Sequence, residues 1–306
     1  MLCYRPFLDG PWRLAMGLKA LDLDDWIEID EHVAGQLAER RHMLDLRRGE
    51  VLGALPESAA GQAEVLELLL DHLPKRFPEH YRRRNGELAN RITGERFDLA
   101  AWRAAPLELA GRLVQEDLCL LQRGEPAYRL VAGVLCFPSH WRLADKLGRP
   151  LEVIHEPVPG FADGLAPTAD RFFANLQVAR PVWRVDWSLV DTPQLFLPPE
   201  HRAERKVIAA GRAGEQLWLR VERQTLRRLP RSGDVLFGIR THVAPLAAAI
   251  EGPGAARALA ARVREMPPAM AAYKGIAAIR EPLLEWLDGR AGKPGQGPSA
   301  GGCGPA

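Results

Sequence analysis

Apolar and polar residues alternate across residues 111–246, and this restricts the fold more than any other feature because a period of two is the period of a β-strand. The alternation predicts five strands, at residues 113–122, 127–137, 181–190, 215–230 and 234–246. The sequence "RGEP" at residues 123–126 joins the first two strands as a hairpin. A loop-rich stretch with short helices lies between Pro138 and about Val178. The predicted order is two strands, a helical crossover and three strands.

The segment before the sheet, residues 1–110, has the apolar spacing of helices. One predicted helix covers residues 24–46 and begins at an aspartate cap. A second helix begins at Ser58 and ends at Pro74, because proline disrupts the interior of a helix. The sequence therefore predicts a mainly helical N-terminal region.

The segment after the sheet returns to helix and then becomes a tail. Residues 247–288 are rich in alanine and leucine at helical spacing, whereas residues 289–306 have the glycine- and proline-rich composition of disordered chains. The sequence thus predicts an α+β protein with a central sheet region at 111–246, flanked by helical segments.

Charge and composition argue against nucleic acids and membranes as partners. The formal net charge is only +2 and the arginines are spread along the chain, whereas nucleic-acid-binding proteins concentrate basic residues. No apolar run reaches the roughly 18 residues that span a bilayer, and the first ten residues lack the apolar region of a secretory signal. These features favour a cytoplasmic protein.

Several cofactors are excluded from this chain by its cysteines and by missing motifs. The four cysteines form no CxxC pair and lack the spacing of zinc and iron–sulfur sites; they are Cys3, Cys119, Cys136 and Cys303. Neither the dinucleotide fingerprint GxGxxG after a strand nor the phosphate loop GxxxxGK[ST] is present. Electrons for any redox chemistry would therefore come from another protein.

Three polar residues interrupt the apolar faces of the predicted strands: Glu116 in the first, Arg223 in the fourth and Thr241 in the fifth. An unpaired buried carboxylate is costly, so Glu116 should have a cationic partner or a raised pKa. We expect the three side chains to share one cavity, because perturbed polar groups collect at functional sites. The alternative is that they only cap the rim of the core. Arg240 and His242 fall on the other face of the fifth strand.

His155 lies in the crossover, in the sequence "LEVIHEPVPG" at residues 151–160. An apolar run precedes it, and two prolines and a glycine that restrict the backbone follow it. Such an imidazole could be an axial ligand of a haem iron, with the macrocycle in an apolar cavity. The same residues would also suit a turn at the end of a strand. Cys136 is a second candidate ligand, although a free cysteine in an apolar strand is commonly a small hydrophobe.

Seven long strings follow one another between about Arg5 and Leu246. They are "PWRLAMGLKALDLDDWIEID", "RFPEHY", "VQEDLCLLQ", "GVLCFPSHW", "KLGRPLEVIHEPVP", "DRFF" and "LRVERQTLRRLPRSGDVLFGIRTHVAPL". Together and in this order they resemble the haem-dependent oxidative N-demethylase alpha-subunit family. The helices after residue 246 and the tail contain none of these strings.

The resemblance implies a PAS-like fold, in which a five-stranded antiparallel sheet and its crossover helices enclose haem b. It also implies an enzyme, a monooxygenase that uses dioxygen to convert a small secondary amine, such as dimethylamine, to a primary amine and formaldehyde. Electrons would come from NADPH through FMN and a [2Fe–2S] centre on a partner reductase subunit. A folate-binding partner subunit would capture formaldehyde on tetrahydrofolate. The missing nucleotide and iron–sulfur motifs agree with this division.

Five residues receive roles in that picture. His155 would be the axial ligand, with its other ring nitrogen bonded to a backbone carbonyl or a carboxylate. Arg223 would donate to bound oxygen or to a haem propionate, and Arg240 would bind a propionate. Glu116 would hold the cationic amine or relay protons. Thr241 would complete the distal wall.

Two other functions fit the same sequence. A haem-binding PAS sensor of gas or redox state would bind its ligand without turnover, because a fold does not determine a function. A non-catalytic partner-binding subunit would instead fill the sheet face with side chains. Amine-dependent oxygen consumption separates the enzyme from the sensor. A Soret absorption band after haem addition separates both from the partner-binding subunit.

Overall fold

The computed structural model describes residues 4–125, 127–204 and 206–292 of the chain. Two antiparallel sheets lie within these residues, and their strands are β1 (Lys19–Ala20), β2 (Leu52–Ala54), β3 (Tyr81–Arg84), β4 (Glu87–Asn90), β5 (Arg96–Asp98), β6 (Asp117–Gln122), β7 (Arg129–Val134), β8 (Val182–Val190), β9 (Trp218–Arg228) and β10 (Val235–Pro245). The α-helices are α1 (Val33–Leu46), α2 (Arg48–Val51), α3 (Ala59–Arg76), α4 (Pro106–Leu113), α5 (Leu143–Lys146), α6 (Leu151–Ile154), α7 (Ala166–Asn175), α8 (Ala213–Gln216), α9 (Leu246–Ala249), α10 (Gly252–Glu265), α11 (Pro268–Tyr273) and α12 (Arg280–Ala291). None of these helices is long and apolar enough to cross a membrane.

The main sheet has seven strands in the order β1-β8-β9-β10-β6-β7-β2. All five predicted strands are present in it and lie next to one another. Two short strands from the N-terminal region, β1 and β2, extend the sheet at its two edges, so the prediction of five strands is incomplete. They pair with edge strands whose backbone groups would otherwise stay open.

The smaller sheet, β3-β4-β5, lies in the region predicted to be mainly helical. Asn85 and Gly86 connect β3 to β4 with φ angles of 53° and 78°. Asn-Gly is the strongest short hairpin signal, because both turn positions need a positive φ. This dipeptide was the sequence signal for the missed hairpin.

Two helix boundaries differ from the prediction. The first helix begins at Val33, because the chain from Leu23 to Asp25 forms a 3₁₀ turn that the Asp22 side chain caps. The helix predicted to end at Pro74 continues to Arg76, since the N–H of Phe77 still bonds to the carbonyl of Leu73. At the C-terminal end, α12 reaches Ala291, and the rest of the predicted tail lies outside the described residues.

The two faces of the main sheet are covered differently. One face, called here the back face, packs against α3 and α4 through residues such as Leu118 and Leu236, and against the C-terminal helices through Leu219 and Val221. The opposite face, the front face, packs against the crossover between β7 and β8 through residues such as Phe237. Both faces are thus covered, so polar residues on either face need partners within the protein.

Candidate cofactor cavity

A cavity of about 380 Å³ lies between the front face and the crossover. This volume falls within the roughly 300–1,000 Å³ of small-molecule sites. Its walls come from the strands β6 to β10, the crossover, the segment 12–18, the connection between β8 and β9 and the end of α11. The apolar part includes Leu121, Leu226 and Phe237 from the sheet.

His155 lines this cavity directly after α6. Its Nδ1 lies 2.8 Å from the carbonyl oxygen of Leu151. Because a carbonyl can only accept, Nδ1 carries the proton in this contact and Nε2 keeps its lone pair. Nε2 has no hydrogen bond among the described residues, so the ring has the tautomer that a metal ion binds through Nε2. The predicted bond from the second ring nitrogen to a backbone carbonyl is therefore present.

The rigid sequence after His155 brings an aromatic ring against it. Gly160 has a φ of 77°, a conformation that glycine adopts without strain, and the chain then enters a π-helical turn at Phe161. The ring of Phe161 stacks on the imidazole with centroids 4.5 Å apart and planes 18° apart. Burial lowers the pKa of His155 to about 4, although the hydrogen bond to the carbonyl of Leu151 acts in the opposite direction. The imidazole is therefore neutral at pH 7, as ligation requires.

The charged lining of the cavity is mainly cationic. Six cationic side chains contribute to it, namely Arg13, Lys146, Arg184, Arg202, Arg220 and Lys274, against the two carboxylates Asp186 and Glu222. Arg13, Lys146, Arg184 and Arg202 form no ion pair among the described residues. This excess positive charge suits a ligand that carries more than one anionic group.

The two carboxylates lie opposite each other on neighbouring strands, Asp186 on β8 and Glu222 on β9. Lys274 Nζ lies 2.8 Å from Asp186, while Glu222 accepts a hydrogen bond from Gln224 at 3.1 Å. Burial opposes ionisation of Asp186, but Lys274 and Arg184 lower its pKa overall. The pair was not predicted, because alternating polar residues of β9 normally indicate a solvent-facing side.

His140 is a second histidine of the cavity wall that the sequence did not single out. Its φ of 61° is positive, which is uncommon for a non-glycine residue and costs about 1–2 kcal/mol. Burial, with a smaller effect from Arg202, lowers its pKa to about 4. Its ring stacks on that of His201 with centroids 5.6 Å apart.

The prediction that Glu116, Arg223 and Thr241 share one cavity is wrong. Arg223 pairs with Arg240, and Thr241 pairs with Glu222, across β9 and β10. Directly paired residues of antiparallel strands share a face, so Thr241 lies on the front face and Arg223 on the back face. Arg240, predicted on the other face from Arg223, lies on the same back face. None of these four predicted residues lines the cavity, and Thr241 instead accepts a hydrogen bond from Arg220 at 3.4 Å.

The back-face residues belong to a polar network that binds the segment before α1 to the sheet. Arg223 lies 3.2 Å from Glu28 and donates to the carbonyl of Asp25 at 2.6 Å. Arg240, which is fully buried, lies 2.6 Å from Asp30. Burial acts in the opposite direction, but the hydrogen bond to His242 and then Arg223 lower the pKa of Glu28, and Arg240 lowers the pKa of Asp30. The network is a structural connection, not the wall of a ligand site.

Glu116 precedes β6 and is 1% exposed. Burial raises its pKa in spite of the attraction of Arg240, which confirms the predicted shift. Its Oε1 accepts the N–H of Glu28 at 3.0 Å, and its buried Oε2 has no partner among the described residues. Arg240 is therefore the predicted cationic partner only in part: it attracts Glu116 electrostatically but forms no ion pair with it.

The two cysteines within the described residues do not present thiolates. Cys119 lines the cavity and Cys136 lies on the other side of the sheet, and burial raises the pKa of each thiol to about 12. Among the residues that the structure describes, no group of three or more His, Cys, Asp or Glu side chains could hold a metal ion. A haem iron needs no such group, because a single axial side chain holds it.

The sequence matches the model of the family described as "Haem-dependent oxidative N-demethylase, alpha subunit-like" over residues 17–284. The match covers most of the chain, including the crossover and the cavity residues from Leu18 onwards, and it ends within α12. It extends beyond the strings that carried the resemblance, which end at Leu246. The chain therefore belongs to the haem-dependent oxidative N-demethylase, alpha subunit-like family.

Proposed function

We propose that this protein binds haem b in the front-face cavity and catalyses the oxidative N-demethylation of a small secondary amine. The observation that carries the proposal is the neutral His155 in the cavity wall, whose Nδ1 is bonded to Leu151 and whose Nε2 has no hydrogen-bond partner among the described residues. Family membership makes haem the cofactor to test there. Haem would supply the activation of dioxygen, with electrons delivered from outside the chain.

The chain's own residues fit that cofactor in charge as well as in ligation. Haem carries two propionates, and Arg13, Arg184 and Arg202 are cavity cations without carboxylate partners. Arginine binds carboxylates through paired N–H donors, so these three are the proposed propionate ligands. Arg223 and Arg240, which the sequence suggested for this role, are engaged on the back face.

The amine would bind as an ammonium ion near Asp186 and Glu222. These are the only carboxylates of the described cavity wall, and Asp186 has nearly half of its side chain exposed, at 46%. Lys274 already pairs with Asp186, and Arg220 lies 3.5 Å from Glu222, so the ammonium ion would share the remaining carboxylate oxygens with these two wall cations. Asp186 and Glu222 replace Glu116 as the proposed ammonium-binding groups. Thr241 keeps a supporting role beneath Arg220.

Two further features agree with the proposal. The central strands run as two strands, a crossover and three strands, which supports a PAS-like arrangement within the larger sheet. An alpha subunit implies partners, and we propose a reductase subunit with FMN, [2Fe–2S] and NADPH sites and a subunit that passes formaldehyde to tetrahydrofolate. Neither function has a recognisable motif in this chain.

Absorption spectra of the haem-loaded protein test the ligand directly. His155→Ala should change the Soret band and the ligation state, because it removes the proposed axial nitrogen. His140→Ala is the matched control, since His140 lines the same cavity and has a similarly lowered pKa of about 4. If His140→Ala alters ligation and His155→Ala does not, the assignment of the ligand is wrong.

Turnover is tested by oxygen consumption with a reductase. The reduced wild-type protein should consume oxygen faster when dimethylamine is present. One molecule of formaldehyde should form for each additional molecule of dioxygen consumed. Equal oxygen consumption with and without amine would favour a haem sensor instead. Failure to bind haem at all would favour a non-catalytic partner-binding subunit.

A further inference from the structure

Two lysines line the cavity, and their surroundings differ. The chain has 6 lysines among its 41 basic residues, and Lys146 and Lys274 are both in the cavity wall. A lysine amine can lose its proton and act as a nucleophile, whereas the arginines of the wall keep their charge. The cavity therefore contains two side chains that could form a covalent bond with a carbonyl compound.

Lys274 is engaged in an ion pair. Its Nζ lies 2.8 Å from Asp186 and donates to the carbonyl oxygen of Trp187, also at 2.8 Å. A carboxylate at this distance favours the protonated amine. Lys274 is thus committed to a structural ion pair in the wall.

Lys146 has no such partner. Its Nζ forms no hydrogen bond or ion pair among the described residues and lies 4.3 Å from the centre of the Trp141 ring. The groups that favour its charged form are this ring, Glu222 across the cavity and Asp145 beside it in α5, together with the Cys119 thiol if it ionises. The charge of Lys146 in turn disfavours protonation of His155. Burial outweighs the attractions and lowers the pKa of Lys146.

We propose that Lys146 is a nucleophilic amine of this cavity that reversibly binds small aldehydes, and that formaldehyde is the aldehyde it meets. The naming of formaldehyde rests on the proposed function. The neutral Nζ would attack the carbonyl carbon, the carbon–oxygen π bond would open, and a proton would move from nitrogen to oxygen to give a carbinolamine. Loss of water gives a Schiff base, and addition of water releases the aldehyde. No oxidant or reductant is needed for either step.

Such a bond would keep the toxic product in the cavity until it is passed on. Formaldehyde formed beside Asp186 and Glu222 would be in the same cavity as Lys146, because all three side chains line it. Reversibility is essential, since hydrolysis must return the aldehyde to an acceptor.

Reductive methylation measures the reactivity of each lysine. The full-length protein is treated at pH 7 with limiting formaldehyde and cyanoborohydride, and each lysine is quantified by peptide mass spectrometry. We expect Lys146 to be methylated faster than Lys274, because the Nζ of Lys146 has no ion-pair or hydrogen-bond partner among the described residues, whereas the Nζ of Lys274 is bonded to Asp186 and to the carbonyl of Trp187. Lys75, exposed and without an ion pair, is the solvent reference. A rate at Lys146 no faster than at Lys274 or Lys75 would overturn the proposal.

Two further measurements test whether ion pairing or contact with haem determines the methylation rate of each lysine. Asp186→Asn should raise the methylation of Lys274 several-fold and leave Lys146 unchanged; no increase at Lys274 would contradict the role assigned to ion pairing. Haem-loaded protein should show the same selectivity for Lys146. Protection of Lys146 by haem would assign it to a propionate and overturn the proposal. None of these measurements requires turnover, so selective methylation without demethylase activity would refute the proposed function alone.

Discussion

The two faces of the main sheet carry similar polar residues but arrange them in opposite ways. On the back face, Arg223 and Arg240 are engaged with Glu28 and Asp30 at distances of 3.2 and 2.6 Å. On the front face, Arg184 of the neighbouring strand has only a hydrogen bond to Gln224 and a long one to a backbone carbonyl, and it borders a cavity. Buried charges in ion pairs connect parts of a protein, whereas charges without ion pairs beside a cavity are available to a ligand.

The difference shows why polarity alone did not locate the site. Arg223 and Glu116 are unusual among apolar neighbours, and that made them conspicuous in the sequence. The cavity residues Glu222 and Gln224 instead belong to the polar positions of an alternating pattern, as in an ordinary strand with one solvent-exposed face. A sheet that is covered on both sides reverses this interpretation, because its polar face also faces the protein.

The largest loss of unfolding free energy is expected from removing a charged side chain of the back-face network. Arg240→Met keeps most of the side-chain volume but removes the 2.6 Å ion pair of Asp30 and leaves Gln36 with Gln115 as its remaining donor. Loss of one partner from a buried pair costs about 3–5 kcal/mol of unfolding free energy. Urea denaturation at pH 7 measures this loss.

Arg184→Met is the matched change on the front face. It removes the hydrogen bond to Gln224 and the long one to the carbonyl of Met16 but no ion pair, so the loss in unfolding free energy should be about 1 kcal/mol. In haem-loaded protein the same variant should release haem faster, because a proposed propionate ligand is gone. Equal losses of stability for the two variants would show that the faces do not differ as described.

Five of the ten described strands and their order along the chain could be predicted from the sequence, but not their register. Period two assigns each residue to a face of its own strand, and this grouping was correct for β9, where Leu219, Val221 and Arg223 share a face. Matching the faces of two strands depends on the connecting turn. Here Arg228 pairs with Val235, so odd positions of β9 lie beside even positions of β10. Grouping the two strands by their apolar faces therefore placed Thr241 with Arg223, where the register places Arg240.

The candidate site was predictable only where local sequence determines local structure. His155 was found because the residues around it restrict its own backbone and supply the carbonyl of Leu151 four residues earlier. The partners of Arg223 and Arg240 are far away in the chain, at Glu28 and Asp30. Contacts over such separations depend on how the N-terminal segment crosses the sheet, which no local pattern encodes.

A smaller, pH-dependent effect should follow from Glu116→Gln on the back face. Glu116 has a raised pKa, so the folded wild-type protein retains a proton that the unfolded chain loses above about pH 4.3. Wild-type stability therefore falls relative to the variant as pH rises through that value and up to the folded pKa. The glutamine variant should be more stable at pH 7, by up to about 1–3 kcal/mol, the usual cost of an unsatisfied buried polar group.

Urea denaturation at pH 4 and pH 7 tests this sign. The advantage of the variant should shrink towards zero at pH 4, where Glu116 is protonated in both states. Asp186→Asn on the front face should behave in the opposite way, because the pKa of Asp186 is lowered and its contribution is present at neutral pH. A glutamine variant that is less stable at pH 7 would mean that Glu116 is ionised and satisfied in the folded protein.

The smallest change in unfolding free energy is expected from replacing two buried threonines, one on each face of the sheet. Thr241 on the front face accepts a hydrogen bond from Arg220, whereas Thr225 on the back face has a buried hydroxyl without a partner among the described residues. Valine has nearly the same shape as threonine, so each substitution removes chiefly the hydroxyl. Thr241→Val should cost about 0.5–1.5 kcal/mol of unfolding free energy, the net value of one hydrogen bond. Thr225→Val should be neutral or stabilising, because it removes an unsatisfied polar group; a larger loss for Thr225→Val in urea denaturation would mean that its hydroxyl has a partner.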